Sequence, residues 1–500
     1  MAITKVTNQL LEIGILADTT NFVDSILISQ NASTGTLSSA TDNVGIGDDV
    51  FASLTSGRNS VAIGSNSLDA NTSGKNNVAV GHDALTGNTT ADNNTAVGKS
   101  ALEANTTGDE NVAVGALSLD ANTTAGGNSA LGYASLTSNT TGAKNTAVGN
   151  SSLYNNTTAN SNTSIGWSTM GANTTGADNT AVGALALTAN TTGTQNVAVG
   201  STSLDANTTG QNNVALGHDA LSANTTASEN TAVGTFALNA NTTGAANTAV
   251  GNFALYNNTV SNNTGVGRSA LQNNTTGEDN TAVGYLSLDA NTTGDSNSCM
   301  GTEAGGSVTT GSQNTFCGHR AGNYHQAGLK LTTGSRGTFL GMITKPSSLS
   351  VNDEVIIGYG GAGKGTNTGM LAPTSGVYQG NNSSSWSTTS DRRIKKNITD
   401  NNTGLNAIKD IRVRNFEYRT EDEITDFENP VSAVVNKEGI QLGVIAQEIE
   451  TILPDVVKEE STGVKSVNPD NLTWYLVNAV KELSTQVDDL KQELKTLKGE

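Results

Sequence analysis

The chain of 500 residues carries a net charge of −19, only 4% aromatic residues and as many as 56 glycines. So few large side chains argue against one packed globular core and favour an elongated chain of several segments. The acidic balance excludes the basic surface that nucleic-acid binding requires, and no run of 18 apolar residues is present to insert into a membrane.

Residues 1–40 precede the regular part of the chain and have no period of their own. Glu12 interrupts the only apolar stretch near the start, so we predict no secretory signal peptide. The many Asn-x-Thr triplets farther on are therefore interpreted as turns and not as glycosylation sites.

From residue 41 the chain repeats itself every 17 residues, with one step of 16 between Gly251 and Gly267. A glycine closes a short apolar run in each repeat, at Gly47, Gly64, Gly81, Gly98, Gly115, Gly132, Gly149, Gly166, Gly183, Gly200, Gly217, Gly234, Gly251, Gly267, Gly284, Gly301 and Gly318. A fixed period of this length is typical of a solenoid, in which each repeat forms one coil.

Each repeat contains one short strand, of which Thr95-Ala96-Val97 is an example. Because side chains alternate along a strand, Thr95 and Val97 point to one side and Ala96 to the other. The small Ala allows another backbone to approach, so we expect several chains to associate through the Ala face. A Leu column (Leu102 and its equivalents) and an Asn column (Asn71 to Asn291) predict an apolar ladder and stacked turns. A disordered polar tract would not need Leu at one phase throughout.

The Leu column stops after Leu288, where Gly305 and Gly322 take its place. Cys299 and Cys317 fall on opposite strand faces, which predicts buried free thiols and no disulfide. The glycine-rich stretch after Gly358 lacks the Ser or Thr of a phosphate loop, so we interpret it as an exit from the solenoid.

The composition changes near residue 390, since residues 390–500 hold 15 Lys and Arg and 21 Asp and Glu. Short helices and strands are predicted around Leu405–Ile411, Val413–Tyr418 and Gly443–Ile449. A helix is predicted from Asn471 onward. Its last part carries apolar residues at alternating steps of three and four, at Val480, Leu483, Val487, Leu490, Leu494 and Leu497. This pattern favours a coiled-coil seam, with a single buried amphipathic helix as the alternative.

Two resemblances follow from these patterns. The 17-residue repeat resembles the head repeats of trimeric autotransporter adhesins, which are parallel β-rolls, and repeats of phage tail fibres. Ser390-Asp391-Arg392-Arg393-Ile394-Lys395, Gly443–Glu448 and Leu453–Val457 resemble the intramolecular chaperone auto-processing domain of phage tail spikes and fibres. Asn468-Pro469-Asp470 departs from that family, which more often has a hydrophobic strand residue here.

The second resemblance implies that three chains fold together and that the domain then cleaves the bond between Thr389 and Ser390. A serine nucleophile needs an adjacent base, and residues 390–500 contain no histidine. This leaves Ser390 with Lys395 as the base. Lys395 has to lose its proton to act, which burial or the neighbouring cations Arg392, Arg393 and Lys396 would favour. The alternative is a relative that does not cleave and only caps the trimer.

The sequence therefore predicts a mainly β, homotrimeric parallel β-solenoid with a small α+β C-terminal domain. Its segments are a virion-attachment part (1–40), a shaft (41–322), a distal tip and linker (323–389) and the chaperone domain (390–500). We expect a phage tail fibre, made in the host cytoplasm and joined to the virion tail or baseplate by its N-terminus. Its receptor would be a host saccharide or outer-membrane component, contacted by Tyr324, His325, Tyr378 and Trp386. No cofactor or metal is expected.

Two other functions have requirements that differ from those of a tail fibre. A bacterial trimeric surface adhesin would need a signal peptide and a membrane anchor. A polysaccharide-cleaving tail enzyme would need two carboxylates in a cleft, and the uniform repeats offer no insertion to build one.

Overall fold

The computed structural model describes residues 14–16, 22–29, 34–324, 329–372, 392–426, 435, 437–459 and 463–499. These residues divide into two compact units, Met1–Thr302 and Glu303–Glu500. We describe each unit separately.

The first unit is a stack of short strands, almost all parallel and in register. Gly14–Leu16 pairs antiparallel with Ile26–Ser29, and Phe22–Val23 pairs with Ala40–Thr41. The parallel stack starts at Ile26–Ser29 and continues through Val44–Ile46, Val61–Ile63, Val78–Val80, Thr95–Val97, Val112–Val114, Ser129–Leu131, Thr146–Val148, Thr163–Ile165, Thr180–Val182, Val197–Val199, Val214–Leu216, Thr231–Val233, Thr248–Val250, Thr264–Val266, Thr281–Val283 and Ser298–Met300. The predicted parallel β-solenoid of 17-residue coils is confirmed.

The interior of a coil is formed by the middle residue of the strand and the Leu four residues after the glycine. Ala96 and Leu102 are both 0% exposed, whereas Thr95 and Val97 remain half-exposed. The expected association through the Ala face is therefore wrong, since that face lies inside its own coil. The face that remains available to another molecule is the one formed by Thr95, Val97 and their equivalents.

Two columns of asparagine hold the coils together inside the stack. In the predicted column, Asn88 Nδ2 donates to Asn71 Oδ1 at 3.0 Å, and Asn105 Nδ2 donates to Asn88 Oδ1 at 3.2 Å. A second column precedes each strand, where the amide of Asn111 donates to Asn94 Oδ1 at 2.9 Å. Sequence analysis missed this second column. Both columns are buried, and the bonds named here link each asparagine to the neighbouring coil, whereas Asn94 Nδ2 and Asn241 Oδ1 have no hydrogen-bond partner among the described residues.

The strand-closing glycine is required by its backbone conformation and by its surroundings. Gly200 has a φ of +136°, and a Cβ at this position would lie 2.5 Å from the carbonyl oxygen of Gly217. Such a φ is outside the range of L-residues, and the neighbouring coil leaves no space for a side chain. This explains why glycine recurs at one phase of the repeat.

The second unit contains four more strands of the same kind, Thr315–Cys317, Thr338–Leu340, Val355–Ile357 and Gly369–Leu371, which pair in parallel. Asn323–Tyr324 and Leu329–Lys330 form a small antiparallel pair beside them. Three of the parallel strands lie in the segment interpreted above as tip and linker. No helix follows Val355–Ile357 in the described residues up to 372, in agreement with the interpretation that this is not a phosphate loop.

The loss of the Leu column is compensated inside the second unit. Phe316 and Phe339 occupy the middle strand position that Ala holds elsewhere, and their buried rings stack at 5.1 Å. A Cβ at Gly322 would lie 2.3 Å from the Phe316 ring. The large residue has therefore moved from the Leu position to the strand. Cys317 is exposed, which corrects the expectation that both thiols are buried; Cys299, in the first unit, is buried, and both cysteines are free.

Among its described residues, the C-terminal part of the second unit contains the α-helices α1 (Leu405–Asp410), α2 (Ala446–Glu450) and α3 (Pro469–Lys498). Two antiparallel pairs accompany them, Arg414–Phe416 with Gln441–Gly443 and Val457–Glu459 with Lys465–Val467. Single 3-10 turns span Arg392–Ile394, Glu421–Glu423 and Pro454–Val456. The predicted helices and the predicted first strand are present. Asn468-Pro469 starts α3, because Asn468 Oδ1 accepts from the amide of Asp470 at 3.0 Å.

Candidate functional site

Of the three residues predicted to take part in cleavage, Lys395 lies in the part of the chain that the structure describes. Thr389 and Ser390 lie outside it, so their pairing with Lys395 stays a prediction. Lys395 directly follows the Arg392–Ile394 turn, and its amide donates to the carbonyl oxygen of Arg392 at 3.2 Å. Its side chain is exposed, as are those of Arg392, Arg393 and Lys396.

The core of the C-terminal domain lies between α2, the Pro454–Val456 turn and the first half of α3. Ile449, Leu453, Val456 and Tyr475 are its buried residues. Tyr475 OH donates to Asp455 Oδ2 at 2.6 Å, and this hydrogen bond together with burial raises the pKa of the Tyr475 hydroxyl. The bond fixes the turn onto α3 at the centre of the domain.

Two side chains of α3 hold the segment that leads from the predicted cleavage site into α1. Glu482 Oε2 accepts from the amide of Leu405 at 2.9 Å. Asn478 Nδ2 donates to the carbonyl oxygen of Asn401 at 2.7 Å. Glu482 thus satisfies a backbone donor at the start of α1, and its charge suits a helix N-terminus. Helix α3 positions the start of the domain through these contacts, which local patterns do not reveal.

A bidentate ion pair joins the first hairpin of the domain to α2. Arg414 Nη2 lies 2.7 Å from Glu448 Oε1, and Arg414 Nε lies 3.2 Å from Glu448 Oε2. The guanidinium lowers the pKa of the Glu448 carboxyl group. Glu448 is the last residue of the Gly443–Glu448 motif, so the ion pair gives that motif residue a structural role.

Replacement of Tyr475 by phenylalanine is expected to destabilise the domain by about 1 kcal/mol, because Asp455 loses a donor while the ring stays packed. The midpoint of urea unfolding, followed by circular dichroism at the helix band, measures the effect. Tyr418→Phe is the matched control, since Tyr418 is exposed and contacts Phe416 through its ring. Equal midpoints for the two variants would contradict a stabilising role for the Tyr475–Asp455 bond.

The apolar residues predicted to form a seam lie along α3 and are exposed. Val480, Leu483, Val487, Leu490, Leu494 and Leu497 have exposed fractions between 41% and 84%. The helix is thus present with its seam uncovered in a single chain. Within the described ranges, no helix combines the length and apolar character that a membrane crossing requires, and no group of acidic, His or Cys side chains could hold a metal ion.

The structure describes little of the predicted receptor residues. Tyr324 ends the short Asn323–Tyr324 strand, and its side chain is not among those described. His325, Tyr378 and Trp386 lie outside the described residues. Their role stays a prediction.

Comparison with known proteins gives two similarities. Residues 390–458 match the family described as chaperone of endosialidase, peptidase S74. The chain is 30% identical over 152 residues to the long tail fiber protein Gp37 of Salmonella phage S16, which covers 26% of this chain and 20% of that protein. The chain thus matches about a fifth of that relative's length. No solved structure matches the chain.

The family match begins at Ser390, the residue after the bond predicted to be cleaved. It includes α1, the first hairpin, α2 and the Asp455 turn. The predicted resemblance to phage tail fibres with a C-terminal chaperone is confirmed by the similarity of residues 390–458 to the chaperone-of-endosialidase family and by the similarity of the chain to a phage long tail fiber protein.

Proposed function

We propose that the chain is a structural phage tail fibre that attaches the virion to its host cell. The observation that carries this proposal is a chaperone-of-endosialidase domain that follows a long stack of parallel coils. Similarity to a phage long tail fiber protein supports it. The fibre is a virion component. Residues 1–40 join it to the tail or baseplate, and the part around 323–389 carries the receptor contacts, with Tyr324, His325, Tyr378 and Trp386 as the candidates.

The proposed active species is a homotrimer. The uncovered seam of α3 supports association, because six large apolar side chains on one helix face gain stability when other helices cover them. In the first unit, the outer face of the strands offers a second apolar surface. Ile46, Leu131 and Leu216 are among its exposed members. This outer face replaces the Ala face as the proposed contact between shafts.

The proposed chemistry is one self-cleavage per chain. Ser390 Oγ attacks the carbonyl carbon of Thr389, and Lys395 Nζ accepts the hydroxyl proton and passes it to the Ser390 nitrogen, which leaves as an amine. Water then hydrolyses the ester formed between Thr389 and Ser390 Oγ, which releases the Thr389 carboxylate and separates the two parts of the chain. In the proposed trimer a neighbouring chain covers Lys395, and burial favours the neutral amine that a base requires. Cleavage then follows trimer formation, and the chaperone domain is removed only after it has aligned the shafts.

Sedimentation of the Ser390→Ala chain, which keeps residues 390–500, tests the trimer at micromolar concentration. We expect the mass of three chains for this protein and of one chain when Leu490→Glu and Leu494→Glu are added, because two carboxylates per helix would have to be buried in the seam. Adding Gln492→Glu instead places one carboxylate on α3 outside the seam, and this variant should remain a trimer. A monomer or dimer of the Ser390→Ala chain would reject the proposed assembly.

A further inference from the structure

The residue that follows the strand glycine differs from coil to coil, whereas the Leu and Asn columns hardly change. Three consecutive coils of the first unit carry three exposed rings: Tyr133 and Trp167 directly follow the strand glycine, whereas Tyr154 directly follows Leu153. Tyr133 is 55% exposed, Trp167 is 57% exposed, and Tyr154, on the coil between them, is 42% exposed. We call Tyr133, Tyr154 and Trp167 the aromatic patch. Positions that do not stabilise the solenoid can vary between coils, and they can therefore form a binding surface.

The rings of the aromatic patch have no structural partner among the described aromatic and cationic groups. Other rings on the same side of the unit do. Phe236 stacks on Phe253 at 5.2 Å, and the guanidinium of Arg268 lies 5.7 Å from the centre of the Tyr285 ring. Exposed aromatic groups of this kind mark binding surfaces.

Gly171 leaves space beside Tyr154, although the backbone conformation at position 171 does not require a glycine. It occupies the same position in the next coil, where the amide of Asn155 donates to the carbonyl oxygen of Gly171 at 3.2 Å. A Cβ at Gly171 would meet its nearest atom, the carbonyl oxygen of Ser168, at 3.4 Å, which is close to an ordinary contact. Glycine is therefore not required here for folding. Its absent side chain keeps one side of the Tyr154 ring open.

The chemistry around the patch is polar but almost without charge. Lys144 is the only charged residue between Asp120 and Asp178, in a chain whose net charge is −19. Asn150 and Asn155, both exposed, supply amide donors and acceptors on the coil between Tyr133 and Trp167. A charged ligand would find no complementary group beyond Lys144. A ligand with hydroxyl groups and apolar ring faces matches both the rings and the amides.

We propose that the aromatic patch binds a neutral saccharide chain. Tyr133 and Trp167 lie two coils apart, about 10 Å, which gives two stacking positions for sugar rings of one chain. The apolar faces of the sugars contact the aromatic rings, and their hydroxyl groups bond to Asn150 and Asn155. This inference rests on the proposed function in that it adds a receptor site on the shaft to the contacts proposed around 323–389.

The test uses full-length protein and saturation-transfer NMR with maltohexaose, cellohexaose, mannohexaose and chitohexaose as the probes. We expect at least one probe to bind the wild type. Trp167→Ala and Gly171→Leu should each lower its affinity about tenfold, the first by removing a ring and the second by filling the space beside Tyr154. Tyr285→Ala is the matched control with unchanged affinity, because that ring lies outside the aromatic patch and already has the Arg268 guanidinium 5.7 Å from its centre.

Three outcomes would overturn the proposal: no probe binds, Tyr285→Ala weakens binding as much as Trp167→Ala, or Trp167→Ala dissociates the trimer. The last would make the patch a contact between chains. A wild type that sediments as a trimer but binds no probe rejects the saccharide site and leaves the proposed fibre intact. A chain that binds a probe but sediments as a monomer supports the saccharide site and rejects the proposed trimeric fibre.

Discussion

Expression of the wild-type chain is expected to yield a product that lacks residues 390–500, whereas Ser390→Ala is expected to stay at 50.9 kDa. The reason is that the alanine variant has no nucleophile at the bond between Thr389 and Ser390. Lys395→Arg should stay at full length too, although it keeps the positive charge. A guanidinium remains protonated near neutral pH and cannot accept the serine proton. Denaturing gel electrophoresis of boiled samples measures the outcome.

The matched control is Lys396→Arg, which makes the same substitution at the next position and should cleave like the wild type. Unboiled samples of all four proteins should show the trimer, because assembly depends on packing of the domain and not on bond cleavage. A cap that never cleaves predicts full-length chains throughout. Cleavage that persists in Ser390→Ala would reject the serine as nucleophile, and cleavage in Lys395→Arg would reject the lysine as base.

Replacement of Gly200 by alanine is expected to lower the stability of the coil stack by about 3 kcal/mol or more. Two effects add. The φ of +136° is almost inaccessible to alanine, and the new Cβ would lie 2.5 Å from the carbonyl oxygen of Gly217. The backbone has to shift, and the parallel pairing of Val197–Val199 with Val214–Leu216 has to change with it.

Gly171→Ala is the matched control for this substitution. Gly171 has an ordinary φ, and a Cβ there makes contacts of 3.4 Å or longer, so the control should change the stability little. Thermal unfolding of both variants, followed by circular dichroism at the β-sheet band, compares them. A Gly200→Ala variant that unfolds at the wild-type temperature would mean that the coils adjust more freely than their spacing indicates.

The sequence alone determined the architecture of the shaft. A fixed period of 17 residues with a strand, a glycine, a Leu and an Asn at constant phase is compatible with few structures other than stacked coils. The same holds for α3, whose apolar residues recur at helical spacing. The composition change near residue 390 indicated the charged C-terminal domain, and the family match begins at Ser390. These features are local or periodic, so they are visible without a structure.

Only the tertiary structure decided which face of each strand is inside. Alternation assigns Ala96 and Val97 to opposite faces but does not say which face is buried, and the small size of Ala suggested a contact between chains. The interior of a coil this narrow has room for Leu102 only opposite a small residue. The second unit has the same limited interior space, but the large and small residues exchange positions. There Phe316, on the strand, fills the interior, and Gly322 takes the place of the Leu.

The sequence did not predict the contacts that build the C-terminal domain either. Glu482 reaches the amide of Leu405 across 77 residues, and Tyr475 reaches Asp455 across 20. Neither pair has a spacing that a helix or strand pattern would reveal, because the chain has to fold back before these groups meet. Local periodicity thus determined the elements of this protein, and long-range packing decided which of their faces are inside and which side chains join them.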